Sequence, residues 1–306
     1  SIAGPLEYRP SQLRQDDPYT IRVNVDMVVL HATVQNRKGV LVSGLSKEDF
    51  QVYEDGVVQQ IQSFSHEDIP VTVGLVVDNS GSMRPKRPEV VAAAMAFARS
   101  SNPQDQMFVV NFNENVSFGI PANTPFTDQA AQLEVALSRI AATGMTALYD
   151  AVAAALKHLK EGNRDKKVLI VVSDGGDNAS KHNLAQIKAI AGKSDAIIYT
   201  IDIFVEEDPD RNPHALKQLA KDTGGEAFLP ESVSEVLPIC ERIARDIRNQ
   251  YTIAYAPTNR KQDGTHRVIQ VKAGAPGRGR VFVRTRTGYY APLKPETIAG
   301  SPRTRP

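Results

Sequence analysis

Residues 71–82, VTVGLVVDNSGS, decide the fold. Positions 71–77 form an apolar run too short for an independent helix and shaped like a parallel strand covered on both faces. The run ends abruptly in Asp78, Asn79, Ser80, Gly81 and Ser82, and residues 88–99 follow with helical spacing. The same unit recurs downstream. Residues 168–172 and 197–203 read as central strands with a helix at 184–191 between them. Residues 214–221 read as a short helix that Thr223-Gly224-Gly225 ends before an edge strand at 226–229. Residues 107–112 and 116–120 flank a polar turn, as a hairpin adding one antiparallel edge strand would, and residues 128–140 and 146–160 carry helical patterns. Strand and helix in alternation predict an α/β fold, a doubly wound, mostly parallel, Rossmann-like sheet with helices on both faces.

Both flanks read as strands alone. Val23, Val25, Met27 and Val29 alternate on one face, then Leu30, Ala32 and Val34 continue on the other parity, as in a bulged strand. Phe50, Val52 and Glu54 lead through Asp55-Gly56 into residues 57–64, a hairpin signal, which makes three strands. After the centre, Tyr251, Ile253 and Tyr255 alternate. A turn at Asp263-Gly264, then Ile269 and Val271, then Val281 and Val283, make about three more. Three strands rarely cover a hydrophobic face by themselves, so the flanks are expected to join into one β-sandwich-like domain. The expected boundaries are a tail at 1–19, the first half of the β domain at 20–69, the α/β domain at 70–248, the second half at 249–293 and a tail at 294–306. The helix carrying Leu237, Ile239, Cys240, Ile243, Ala244 and Ile247 runs into Tyr251 without a Gly/Ser linker, which predicts rigid coupling of the two domains.

The 306 residues carry 36 Lys+Arg against 35 Asp+Glu, a formal charge of +1, so no bulk field is available for nucleic acid or anionic membrane. Apolar content of 41% with 23% charged residues is ordinary for a chain that folds by burial. The single Cys240 excludes an internal disulfide and a cysteine-ligated metal. No apolar run approaches the roughly 20 residues of a membrane-spanning helix. The first residues lack an initiator Met and an apolar leader core, as expected of a processed or trimmed chain.

Open α/β sheets bind ligands beyond the carboxyl ends of their strands, where the strand order reverses. The first strand brings Asp78, Ser80 and Ser82 there, and the fourth brings Ser173-Asp174-Gly175-Gly176-Asp177-Asn178. The loop Thr143-Gly144-Met145-Thr146 adds a hydroxyl at the start of a helix. Hard oxygen donors without imidazole or thiolate suit Mg²⁺ or Mn²⁺. Ser80, Ser82 and Thr146 are neutral, so with Asp78 and Asp174 partly orienting waters and hydroxyls, the cation would seek an anionic ligand from outside. Arg84, Lys86 and Arg87 just beyond the first loop favour that sign.

At these positions the sequence resembles the von Willebrand factor A domains with a metal-ion-dependent adhesion site, whose pattern is Asp-x-Ser-x-Ser, then Thr, then Asp. Asp78, Ser80 and Ser82, Thr146, and Asp174 fill the five places. The whole chain, over roughly residues 20 to 292, is also similar to a bacterial, acidobacterial-type family in which β segments flank the A domain. Residues 45–50 (LSKEDF), 54–56 (EDG), 250–253 (QYTI) and 286–290 (RTGYY) carry that likeness. The resemblance implies a non-enzymatic adhesion or interaction module that binds an Asp or Glu carboxylate of a protein partner through Mg²⁺ or Mn²⁺. It also leans towards an extracytoplasmic location.

Other readings are blander. Asp177 and Asn178 suit a tight loop as well as a metal site, Asp150 suits the first turn of a helix, and Glu206-Glu207-Asp208 suits a solvated acidic loop. Residues 274–279 mimic a nucleotide-binding glycine loop, but no helix follows. Arg278, Arg280, Arg284 and Arg286 alternate with apolar residues without aromatic platforms, which disfavours nucleic acid. His158, His182 and His214 read as ordinary helix or loop residues. Two alternatives in function stay open: Mg²⁺-dependent phosphoryl transfer with Asp78 as nucleophile, which usually needs a carboxylate where Ser80 stands, and a metal-free scaffold docking through its β domain.

Overall fold

In the computed structural model, which describes residues 27–138, 141–203, 211–275, 277 and 279–293, the apolar runs pair as the patterns require. The chain enters through β1 (Val28–Asn36), β2 (Phe50–Glu54), β3 (Val57–Gln59) and β4 (Ile61–Ser65). It continues as β5 (Val71–Asp78), α1 (Arg87–Ser100), β6 (Gln106–Phe112), β7 (Val116–Phe118), α2 (Ala130–Ser138) and α3 (Leu148–Leu159). Next come β8 (Lys166–Ser173), α4 (Leu184–Gly192), β9 (Ile197–Asp202), α5 (Pro213–Thr223), β10 (Ala227–Phe228) and α6 (Val236–Arg248). The return is β11 (Tyr251–Tyr255), β12 (His266–Ala273), β13 (Val281–Arg284) and β14 (Gly288–Tyr290). No described helix is long and apolar enough to cross a membrane.

The central sheet has the order β10-β9-β8-β5-β6-β7, parallel except for the antiparallel edge strand β7. Every residue of β5 is buried, with Leu75 between Val109 of β6 and Ile170 of β8, as a strand covered on both faces demands. The chain steps from β5 to one side and returns on the other at β8, so the order reverses between these two strands. That places Asp78 and Ser173 side by side at their carboxyl ends. Among the described helices, α4 and α5 start at side-chain caps, Asn183 and Asn212. Asn183 and Gln186 form a reciprocal capping box on α4, and Gly224, at φ +86°, closes α5 in the left-handed conformation.

The flanking strands interleave into two four-stranded sheets, β13-β1-β11-β4 and β14-β12-β2-β3. Leu30 of β1 opposes Ile253 of β11, and Val52 of β2 opposes Val271 of β12, so neither flank completes a sheet alone. Leu30, Ala32, Val52, Ile253 and Ile269 form an apolar core separate from that of the α/β unit. The described strands here number eight rather than six. Residues 57–64 divide at Gln60, with β3 paired to β2 and β4 to β11. Gln59 and Ile61 are both buried, so the alternation continues across Gln60 and hides the change of sheet, before a bulge shifts it between Ile61 and Phe64. Similarly, β1 keeps one register with Val28, Leu30, Ala32 and Val34 inward, and no parity change at Val29–Leu30. Val23 and Val25 lie outside the described residues. The Asp55-Gly56 hairpin is observed, with φ of +48° and +80°, the signature of a type I′ turn.

α6 joins the two units through a buried carboxylate. Asp246 accepts hydrogen bonds from Thr33 Oγ1 of β1 (2.8 Å) and Tyr199 OH of β9 (2.7 Å), and pairs with the Arg284 guanidinium of β13. Lys166 Nζ, also buried, donates to the Ile247 carbonyl (2.7 Å). Of the predicted apolar stripe, Cys240, Ile243, Ala244 and Ile247 are buried, whereas Leu237 is exposed.

Candidate metal centre

The carboxyl end of β5 turns sharply because Asp78 Oδ1 accepts the Ser80 backbone N–H (2.8 Å), a local hydrogen bond typical of Asp at a turn. Asp78 Oδ2 accepts the Ser173 hydroxyl from β8 (2.6 Å). Ser80 Oγ lies 3.1 Å from Ser82 Oγ, and Ser82 Oγ donates to Asp174 Oδ2 (2.9 Å). Asp174 Oδ1 accepts the Gly176 N–H (3.1 Å). The tight return after Asp174 depends on Gly175, whose φ is +79° and where a Cβ would sit 2.7 Å from the Asn212 carbonyl oxygen. Asp78, Ser80, Ser82 and Asp174 therefore form one hydrogen-bonded cluster across two strand ends. Burial pushes the Asp78 carboxyl up to about 6, with Asp174 adding to the rise and the bonds from Ser173 and Ser80 opposing it.

The third loop is fastened to the first by its backbone. Gly81 N–H donates to the Gly144 carbonyl (3.1 Å) and Thr143 N–H to the Asn79 carbonyl (2.9 Å). Thr146 is buried, its N–H donates to Asn178 Oδ1 (2.9 Å), and its carbonyl accepts the N–H groups of Asn178 and Ala179, both at 3.0 Å. Among the described residues no hydrogen bond joins the Thr146 hydroxyl to the other four side chains. Its backbone is nonetheless held between the loops that carry them.

The segment after β8 caps α3 in detail. Asp177 Oδ2 accepts the Tyr149 N–H (2.8 Å) and Ser180 Oγ accepts the Asp150 N–H (3.0 Å). In return Asp150 accepts from Lys181 N and His182 N, each at 3.0 Å, and lies 2.6 Å from His182 Nδ1. Burial works against the Asp150 charge, but these bonds prevail and hold its carboxyl below the usual range. Asp177 and Asn178 thus have the loop-stabilising role, and Asp150 does more than favour the helix dipole. Ser173 is the contributor that sequence reasoning gave no role, and His182, read there as an ordinary loop residue, braces Asp150. Ser173 adjoins the Asp174 motif, the one signal that pointed to it.

The nearby cations are less open than their spacing suggests. Arg87 donates to the Leu137 carbonyl (2.7 Å) and to Asn79 Oδ1, so it braces the first loop from within. Arg84 Nε donates to the Ala142 carbonyl (3.1 Å) and Lys86 Nζ to the Ile203 carbonyl (3.4 Å). Burial lowers the Lys86 pKa, while Asp174 and Asp202 act to raise it, which places its charge near the cluster. Glu206, Glu207 and Asp208 lie outside the described residues, as does Arg278. Arg284 pairs with Asp246 and Glu226, and Arg286 with Asp195, so these two are not part of a free basic stripe.

The donor chemistry fits a small hard cation. Among the described residues no group of three or more His, Cys, Asp or Glu side chains gathers, so a soft or imidazole-bound metal has no cage. Two carboxylates with serine and threonine hydroxyls match the oxygen preference of Mg²⁺ or Mn²⁺.

Three comparisons bear on this geometry. No curated protein matches the chain. In fold it is similar to a von Willebrand factor type A protein from Catenulispora acidiphila, with a TM-score of 0.51 and 14% identity over 89% of this chain and 75% of that one. It is also similar to the conserved hypothetical protein BatB from Bacteroides thetaiotaomicron, with a TM-score of 0.45 and 18% identity over 57% of this chain and 98% of that one. The vWF domain of the type V pili tip protein Mfa5 from Porphyromonas gingivalis gives a TM-score of 0.47 and 12% identity, covering 59% and 95%. The family model of the von Willebrand factor type A domain matches residues 73–176, the segment from β5 to the loop after β8, and the α/β unit is a domain of that type.

Proposed function

We propose that the chain is a protein-interaction module of the metal-ion-dependent adhesion type, in which Asp78, Ser80, Ser82, Thr146 and Asp174 hold Mg²⁺ or Mn²⁺ and a partner's Asp or Glu completes the coordination. The observation that carries this reading is the linked set of hydrogen bonds in which Asp78 accepts the Ser80 backbone N–H, Ser80 Oγ lies against Ser82 Oγ, and Ser82 Oγ donates to Asp174. A bound cation would supply an electrophilic position for the partner's carboxylate. Ser80 and Ser82 would offer hydroxyl oxygens, Asp174 would orient Ser82, and Asp78 would fix the first loop through Ser80 N–H. With both Asp78 oxygens engaged by Ser80 and Ser173, the side chain is better placed to position neighbours than to attack phosphorus, which supports binding over phosphoryl transfer. The acidobacterial-type subfamily and an extracytoplasmic location belong to the same proposal.

An acidic peptide and its lysine counterpart, each presented with Mg²⁺ and then with EDTA, test it. The acidic peptide is expected to bind in Mg²⁺ alone and to lose binding in Asp174→Ala. Equal retention of both peptides, or retention in EDTA, overturns the reading.

A further inference from the structure

At the opposite end of the α/β unit from the oxygen cluster, a cleft of about 750 Å³ opens between that unit and the β sandwich. Its floor is the outer face of the sheet β13-β1-β11-β4, where Val29, His31, Ser63, Ser65, Thr252 and Ala254 leave a shallow surface of mostly small side chains. One wall is the end of α4 with Gly192, Lys193 and Asp195. Another is the segment holding Arg260 and Lys261, and a third is formed by β14 with Tyr290. Asp165, just before β8, borders it, so the cleft and the oxygen cluster stand a strand's length apart, roughly 25 Å.

The walls are built rather than accidental. Arg286 fastens them, with Nη1 on Asp195 (2.9 Å), Nη2 on the Gly192 carbonyl (3.2 Å) and Nε on the Gly288 carbonyl (2.9 Å). That pairing cancels one cation against one carboxylate. Lys193, Arg260 and Lys261 are then left against Asp165, and none of the four makes an ion pair with a described residue. Lys193 Nζ sits 5.8 Å from the Tyr290 ring centroid, so the ring and the charge face the same space. Burial, with the charges of Lys166 and Arg286, drives the His31 pKa down to about 3, so the imidazole on the floor is neutral. Met27, Val29 and Tyr290 are exposed apolar surface along the cleft.

Cation excess, small hydroxyl-bearing floor residues and apolar edges select a ligand with one anionic group and an apolar body. The volume falls within the roughly 300–1,000 Å³ of small-molecule sites, which favour domain junctions. We propose that this cleft is a second, metal-independent site that binds small amphipathic organic anions, with Lys193 and Lys261 taking the anionic group and Val29 and Tyr290 the apolar body.

The test uses 8-anilinonaphthalene-1-sulfonate and the uncharged N-phenyl-1-naphthylamine as fluorescent probes on the full chain in EDTA. The sulfonate is expected to bind saturably at one per chain, at least tenfold more tightly than the uncharged probe. Its affinity should fall at least tenfold in the double variant Lys193→Glu, Lys261→Glu, and also in Ser63→Trp, which fills the floor without changing charge. Asp174→Ala should bind as the parent does, which separates this site from the metal reading. Circular dichroism melts confirm that each variant is folded, and Ser63→Trp decides if the double variant is not. Absence of saturable binding, indifference to charge reversal and filling, or equal affinity for the uncharged probe overturns the proposal.

Discussion

Ser82 links the two halves of the oxygen cluster, since it touches Ser80 and donates to Asp174. Ser82→Ala removes one donor oxygen and the orienting bond while leaving the backbone unchanged. We expect Mn²⁺ affinity to fall by about 10- to 100-fold, read by calorimetric titration, with Tm in EDTA unaltered. Gly175→Ala should act differently. The left-handed φ and the close Asn212 carbonyl predict a loss of about 1–3 kcal/mol in chemical denaturation with or without metal. The Asp-x-Ser-x-Ser spacing, Thr146 and Asp174 were legible because each falls at the end of a recognisable strand or the start of a helix. Ser173 was not, because its role arises from a contact across 95 residues that no local pattern encodes. His31 carries a pH signature. Its folded pKa of about 3 lies below the model-peptide 6.5, so above pH 6.5 both folded and unfolded chains are neutral there. As pH falls from 6.5 towards 3 the unfolded chain takes up a proton that the folded chain refuses. Stability is therefore lost at up to about 1.4 kcal/mol per pH unit from this group. Urea midpoints at pH 7 and pH 5 should converge in His31→Gln relative to the parent.

At the scale of elements, α6 combines an apolar stripe with one buried charge. Asp246 gathers Thr33, Tyr199 and Arg284 from three strands, and removing it would leave the Arg284 cation without its main counter-charge. Asp246→Ala is expected to cost about 3–5 kcal/mol in equilibrium unfolding, against a much smaller effect for the exposed Leu237→Ala on the same helix. The apolar stripe of α6 was readable from its spacing, but the buried acid was not, because an Asp in a helix ordinarily reads as solvent-facing. The central strands were similarly legible from their apolar runs, and α4 and α5 from their caps. The division of residues 57–64 between two sheets was hidden because strand alternation reports which side chains point inward and not which strand supplies the hydrogen bonds. β14, three residues long, is too short to show a period.

For the whole molecule, the sandwich exists only when both flanks are present, since β1 needs β11 and β2 needs β12. Deleting residues 249–306 should therefore expose residues 28–65 to rapid proteolysis while the α/β core, built within residues 71–247, stays protected. Persistence of resistant β1–β4 in such a truncation would contradict the interleaved sheets. The von Willebrand factor type A unit presents its oxygen cluster beyond the carboxyl ends of β5 and β8, at the one place where the sheet order reverses, as ligand sites in open α/β sheets do. A cation bound there would couple to folding by mass action. At a hundred times Kd it would contribute about 2.7 kcal/mol, or roughly 5–10 °C in the Tm of a unit this size. The most direct measurement is a thermal melt of chelator-stripped protein across a Mg²⁺ and Mn²⁺ series, run in parallel on the parent, Ser82→Ala and Asp174→Ala. A saturable rise is expected in the parent, a weakened rise in Ser82→Ala and none in Asp174→Ala. An identical rise in all three, or no rise in the parent at millimolar metal, would contradict that expectation.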